Sequence, residues 1–550
     1  MRWTPLLAGL ALGLACGSES GGPGAHAEDA GADAGVGDGA WPDQGGGEVS
    51  SEAQPDAEAG PPKPPPGNAL LRSDGSVVPL YPVTDPAAAT RAIGFVQSGT
   101  GVQVLDEDGG ELAKHEIGAG SLFGGFDFDA DGWPDLGVAR SKDSGQICGA
   151  TAMLDTWLDV VSTKTGKQAA LTSMAPALCW TFGTSTYPTT QWSVLAPLFG
   201  AGGSELALAP YYAQSGSFAA WSAGAFQVLG TFQYPSTASF DSTYTADQPN
   251  AWGGPASFLA NSHVANGLVV TVGGQRRLAF FTSGRVVQYA VGQQGPGQLL
   301  FDTPYVTGDR KDLAGRNYGL VLPDPGLPTD LVLVAGTGAH SVYDDMVSAS
   351  MTSDPWGQIE RHVSRYDLLT GKVLDRFFSY AHDDADGNKY EGRVAYPANP
   401  MVRAASGPSR LAFNVYEGGH WMLHVTQPGS LGDALVLQDL FLWDIADLDR
   451  DGIDEWLVTP SRDPSEPDVP GYYYVKWRTQ IAHFDATKLE LSITATHEGM
   501  IPRLAPTFRQ PARTSSMGYL YPALVARTSQ GLELCTRSAA GKLGSVLVGK

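Results

Sequence analysis

The chain has 550 residues, including 69 Gly and 38 Pro, with 42% hydrophobic, 10% aromatic and 17% charged residues, and a formal net charge of −23. A chain this long can bury a large core, and its length alone permits several domains. The negative field repels nucleic acid and anionic lipid headgroups, which argues against nucleic acid as a partner, and the Gly- and Pro-rich, charge-poor mix suits many short strands joined by turns.

The N-terminus carries an export pattern. Arg2 precedes an apolar stretch over 6–14, too short to span a bilayer but long enough for the core of a signal peptide. Ala15, Cys16 and Gly17 follow, and the arrangement resembles a bacterial lipoprotein signal in which Cys16 becomes the lipidated first residue. Gly13 stands three before the Cys where such signals usually have Leu, so a conventional signal cleaved after Ala15 stays open. Residues 17–67 are Gly, Ala, Pro, Ser and acidic residues, with ten carboxylates against Lys63, a net of −9. That composition cannot build a core, and it predicts a disordered, self-repelling tether spanning on the order of 40 Å. The expected organisation is therefore a signal peptide over 1–16, a linker over 17–67 and a folded region over 68–550.

From about residue 70 a weak repeat sets in. A strand run is followed by a variable loop and then by a hairpin with Gly in its turn. In chain order the paired runs are 93–96 with 102–106, 135–139 with 158–162, 205–209 with 226–229, and 278–281 with 284–289. They continue as 330–335 with 362–366, 411–414 with 421–425, 456–458 with 480–484, and 523–526 with 532–534. Seven or eight units of roughly 60 to 70 residues, each with four short antiparallel strands, predict an all-β protein: a seven- or eight-bladed β-propeller. The Gly-Lys pairs at Gly166, Gly371 and Gly541 lack the flanking residues of a phosphate loop and fit hairpin turns. Of the cysteines, Cys148 and Cys179 share a unit and could form a disulfide in an oxidising compartment, leaving Cys535 unpaired; the alternative is three reduced thiols packed as small hydrophobes.

Two nine-residue acidic loops stand out. One holds Asp127, Asp129, Asp131, Gly132, Trp133 and Asp135, and the other Asp447, Asp449, Asp451, Gly452, Ile453 and Glu455. Carboxylates at positions 1, 3, 5 and 9 repel one another unless a cation neutralises them, and Gly at position 6 permits a tight reversal. Oxygen-only ligands point to calcium rather than zinc or copper, and a loose ring suits calcium better than magnesium. Position 7, Trp133 or Ile453, would supply a backbone carbonyl. An acidic surface turn without a metal is the alternative.

These loops, each running into a strand, resemble the FG-GAP/VCBS repeat of integrin-α-type β-propellers. The resemblance implies two structural Ca2+ sites, with ligands at Asp127, Asp129, Asp131, Asp135 and the Trp133 carbonyl, and at Asp447, Asp449, Asp451, Glu455 and the Ile453 carbonyl. A third acidic stretch, 382–387, has His382 at position 1 and Tyr390 at position 9, and is expected to be only a loop.

Compact catalytic signatures are missing from the sequence: there is no Gly-x-Ser-x-Gly elbow and no His-Glu-x-x-His pattern. His420 and His424, four apart on a strand, are expected to be packing or surface residues. No catalytic residue is assigned, although a propeller can assemble a site from distant loops. The longer insertions at 236–255, 336–356 and 461–477 are candidate recognition rims, with Tyr472, Tyr473, Tyr474 and Trp477 available to stack on a sugar or protein partner or to pack within a blade. The expected function is that of a surface-exposed calcium-binding lipoprotein acting as a binding or scaffolding module for adhesion, protein or glycan recognition. It would sit at a bacterial outer membrane or cell surface, or otherwise be secreted or periplasmic. The alternative is a secreted propeller enzyme acting on carbohydrate through a loop-built active site.

Overall fold

A computed structural model describes residues 67–549, apart from short gaps and the segments 198–204, 211–214, 234–263, 305–317, 337–358, 382–393, 462–474 and 505–521. Cys16, the linker up to residue 66, the third acidic stretch and Tyr472 to Tyr474 therefore lie outside the described residues.

The described residues form strands and turns with no helix. Sequence neighbours pair with one another in antiparallel meanders of four. The 77–116 segment forms the first, with strands Val77–Val83, Arg91–Ser98, Gly101–Asp106 and Glu111–Glu116. The second has strands Ser121–Phe126, Asp135–Cys148, Thr151–Val161 and Gln168–Ala170. Further meanders begin at Trp192, Val264, Tyr318, Val394 and Leu440, a last sheet pairs Met500–Pro502, Val525–Thr528 and Leu543–Gly549 each with Gly531–Ser538, and a separate hairpin, Leu178–Phe182 with Ser185–Thr189, follows the second. This succession of four-stranded sheets is a β-propeller.

Burial falls from the inside of each sheet outwards. In the meander that begins at Leu440, the strands Leu440–Ala446 and Glu455–Pro460 are buried almost throughout, Arg478–Asp485 is mixed, and Glu490–Glu498 is mostly exposed. A strand covered on both faces reads as a continuous apolar run, whereas a perimeter strand tolerates charge. The first strands Trp192–Pro197, Val264–Val272 and Tyr318–Asp324 lie side by side, as they must if they line a common axis. The cores are formed between sheets. Phe128, Leu158 and Val160 of the second meander pack against Ala219 of the third, and Trp421, Trp443 and Leu534 join the last three.

Polar clasps cross the same seams. Asn414 donates to the Leu442 carbonyl at 2.9 Å and accepts from the Leu442 NH at 2.7 Å, pairing with a neighbouring strand as backbone would. Asp444 accepts from the Ala523 NH at 2.7 Å, and Asp324 accepts from the Ser409 NH at 3.3 Å while holding the fully buried Arg365 at 2.5 Å. The ring closes through its N-terminus. Strand Ala69–Leu71 pairs in parallel with Val525–Thr528, and Asn68 donates to the Ala523 carbonyl and accepts from the Val525 NH, at 2.8 and 2.7 Å. Gly67 is required beside it, because a Cβ there would stand 2.1 Å from the Val525 carbonyl oxygen.

Of the eight paired runs expected from sequence, seven are the second and third strands of their meanders. The run 226–229 is instead in the fourth strand, Ala225–Gln233, and the third is Ser215–Ser222. The misplacement has a physical source: Val228 and Leu229 are 63% and 46% exposed on the perimeter, so apolar character there does not mark the interior. Gly166, Gly371 and Gly541 all adopt positive φ in tight turns, which fits their assignment as hairpin turns.

Candidate metal centres

Both acidic loops join the first strand of a meander to its second. Phe126 pairs with Asp135 and Ala446 with Glu455, so position 9 of each loop is already the first residue of a strand. That placement buries it: Asp135 is 0% and Glu455 4% exposed. Position 2 is apolar and also buried, Phe128 in one inter-sheet core and Leu448 in another. The alternation of acid and apolar residue thus turns the carboxylates inward on themselves while the hydrophobes anchor the loop.

Three hydrogen bonds recur in both loops. Position 9 accepts from the NH of position 2, Phe128 to Asp135 at 2.9 Å and Leu448 to Glu455 at 2.7 Å. Position 1 accepts from the glycine NH, Gly132 to Asp127 at 2.9 Å and Gly452 to Asp447 at 3.0 Å. Position 5 accepts from position 7, Trp133 to Asp131 at 2.9 Å and Ile453 to Asp451 at 2.8 Å. Gly132 and Gly452 hold φ of 86° and 88°, where a side chain is disfavoured.

This wiring gathers three carboxylates in each loop. Ligand atoms of Asp127, Asp129 and Asp135 lie within 4.8 Å of one another, as do those of Asp447, Asp449 and Glu455. Asp131 and Asp451 are not part of these gatherings, and their carboxylates close the turn. Burial raises the affinity of Asp127, Asp129, Asp135 and Glu455 for protons, and neighbouring carboxylates add to it; Asp135 is pushed up to about 8. Asp129 Oδ1, Asp447 Oδ1 and Glu455 Oε1 are buried without a hydrogen-bond partner. Buried acceptors without a hydrogen-bond partner are costly, and an all-oxygen donor set of this kind is one that could hold a hard cation.

The loops differ in their surroundings. Asp135 is also held by the Thr163 NH at 3.1 Å, and Lys164 donates to the Asp131 carbonyl at 3.2 Å. The Trp133 ring has the Arg91 guanidinium and the Lys164 ammonium each 5.8 Å from its centroid. The turn at 163–167, expected only to reverse the chain, braces the loop because both lie in one meander. In the second loop Ile453 is 56% exposed, and His483 Nδ1 stands 3.9 Å from Glu455 Oε1.

His420 pairs with Asp439 at 2.6 Å on the surface, and His424 pairs with Asp433 at 3.0 Å while stacking on Phe413, so the two serve surface and packing roles. Trp477 packs against the core that holds Trp443. Cys148 is disulfide-bonded, Cys179 lies in strand Leu178–Phe182 with its side chain outside the described residues, and Cys535 is a buried free thiol.

No protein-family model matches the chain, and no curated protein matches it. Solved structures with similar strand arrangement include dihydro-heme d1 dehydrogenase NirN, at 12% identity and TM-score 0.38, covering 82% of this chain and 72% of that one. A rhamnogalacturonan lyase from Bacillus licheniformis is similar at 15% identity and TM-score 0.35, covering 88% and 75%. The β-propeller domain of Swd1 from Myceliophteria thermophila is similar at 11% identity and TM-score 0.30, covering 82% and 99%.

Proposed function

We propose that this chain is an exported calcium-binding β-propeller of the FG-GAP/VCBS type, tethered through Cys16 and serving as a binding or scaffolding module at a bacterial surface. The observation that carries the metal assignment is the gathering of three carboxylates in each of two loops of matching hydrogen-bond pattern, with buried oxygens of Asp129, Asp447 and Glu455 that have no hydrogen-bond partner. Asp127, Asp129 and Asp135 would hold one Ca2+ and Asp447, Asp449 and Glu455 the other, with backbone carbonyls of Trp133 and Ile453 completing each set. The ion supplies charge neutralisation. The chain's own residues supply the mechanical link, since Phe128 and Leu448 tie each loop to the core between sheets. The role is structural, and dissociation constants of roughly 0.1 to 1 mM suffice for occupancy outside a cell.

Calorimetric titration of the chelated protein with CaCl2 tests this. Two ions per chain are expected, and Asp129→Ala with Asp449→Ala should remove both; absence of heat and of any calcium retained after dialysis overturns the assignment. Attachment is tested separately. Cys16→Ser should move the protein from the membrane to the soluble fraction, and an unchanged distribution rules out the lipid anchor. Cys179 is proposed as the partner of Cys148, to be read by mass spectrometry of non-reduced peptides.

A further inference from the structure

The perimeter strand of each sheet has one edge with no described strand beside it. Such an edge recruits other strands unless charge, proline or shortness blunts it. Most of these strands are blunted. Glu111–Glu116, Val373–Ala381, Asp433–Gln438 and Glu490–Glu498 carry charged residues, and Gly295–Pro304 has two prolines and an Asp. Gln168–Ala170 is only 3 residues long, and Leu543–Gly549 lies between Lys542 and Lys550. Ala225–Gln233 has neither charge nor proline over its 9 residues.

That strand also displays an apolar pair. Its ladder to Ser215–Ser222 passes from Ala219 with Val228 to Phe218 with Gly230, so Leu229 is an extra residue in the strand. A bulge breaks the alternation of faces, which is why Val228 and Leu229, adjacent in sequence, are both exposed while Phe232 is buried against Tyr289. Charge sets the whole sector apart. From 168 to 240, a stretch that takes in the third meander, the only charged residue is Glu205, although charged residues make up 17% of the chain and its net charge is −23. A basic partner is drawn to the acidic remainder rather than here, and an acidic one is repelled by the same field. What fits is a surface whose contact strip is itself neutral, and each copy of this chain carries one.

We infer that Ala225–Gln233 is the site at which two copies of the chain associate, edge to edge about a twofold axis, with Val228 and Leu229 of each copy packed against the other. In such a contact one strip serves both partners, so its lack of charge removes repulsion from both sides at once. A strand of this length offers fewer residues than the roughly 20–30 a side of a standard interface, so the dimer is weak, with a dissociation constant of about 10 µM to 1 mM. Neither acidic loop takes part in it.

Sedimentation velocity tests this on the full chain carrying Cys16→Ser, so that no lipid contributes, at concentrations from about 1 to about 500 µM. The sedimentation coefficient is expected to rise with concentration toward that of a dimer, and more steeply in about 500 mM than in about 50 mM NaCl, because salt screens the repulsion between two acidic copies. Val228→Lys with Leu229→Lys, and separately Val228→Asp with Leu229→Asp, should weaken association about tenfold or more. Both positions are exposed, so the melting temperature should match the parent's; should either variant melt early, Val228→Lys alone replaces it. Leu543→Lys with Leu547→Lys, at exposed positions of another perimeter strand, should leave association unchanged. A chain that stays monomeric at the highest concentration in high salt overturns the inference, whether that edge takes some other partner or none. Dimers that survive the substitutions at Val228 and Leu229, or that the Leu543 and Leu547 pair dissolves equally, also overturn it.

Discussion

Asp135 and Glu455 hold the same place in two loops from opposite halves of the chain: each begins a strand, is buried, and accepts the backbone NH of the apolar residue at position 2. Each thereby brings a carboxylate that the fold cannot expose into contact with two others. A bound cation should repay that cost in stability. With calcium at about ten times its dissociation constant, each site contributes about 1.4 kcal/mol. Chelation is expected to lower the melting temperature measured by scanning calorimetry, and Asp129→Ala combined with Asp449→Ala should abolish the difference. Identical curves with and without calcium in the unaltered protein would count against structural ions.

The pH dependence follows from the direction of the shifts. Asp127, Asp129, Asp135 and Glu455 have folded-state proton affinities raised by burial, Asp135 to about 8, above the roughly 4 of an unfolded carboxylate. The calcium-free fold therefore holds protons that the unfolded chain releases. The stability contributed by Asp135 is full below about pH 4 and is lost as pH rises through about 8, and the other three act in the same direction. Melting of the chelated protein should occur at falling temperature between pH 5 and 8.5, with a shallower slope in Asp135→Asn. The calcium-induced increment should grow over the same range. A flat profile in chelator, with equal slopes for the two proteins, contradicts this.

The clasp between Asn414 and Leu442 satisfies both backbone groups of a buried residue on the next sheet. Asn414→Leu leaves an NH and a carbonyl without partners in the core, at a cost of about 3 kcal/mol. A lowered urea midpoint is the expected result. A change below about 0.5 kcal/mol would mean that water or a local shift replaces the clasp.

Ring closure depends on Gly67 and Asn68. Gly67→Val places a Cβ against the Val525 carbonyl, and Asn68→Ala removes the amide that pairs with Ala523 and Val525 at a cost of about 1–2 kcal/mol. Both substitutions should speed hydrogen exchange across 523–528 more than across 411–417. Equal protection at the two strands would show that closure does not depend on this contact.

The acidic loops were legible because their chemistry is local. Position 1, position 6 and position 9 find one another through the chain's own reversal, so spacing alone places Asp127 with Asp135 and Asp447 with Glu455. The repeat was legible for a related reason: second strands buried on both faces, such as Arg410–Glu417, carry long apolar runs. The perimeter strand Ala225–Gln233 defeated the same signal by exposing Val228 and Leu229.

What the sequence determined, then, was the material of the fold: strands, turns, and two carboxylate loops whose repulsion calls for a cation. Tertiary structure alone decided which polar residues became clasps, since Asp444 meets Ala523 across 79 residues and Asn68 meets Val525 across 457. It also set the first loop beside Arg91 and Lys164, which flank its Trp133 ring, and the second beside a cavity. An Asp or Asn in the chain carries the same hydrogen-bonding atoms wherever it stands, and only the neighbour brought to it by ring closure determines whether those atoms brace a seam or await a ligand.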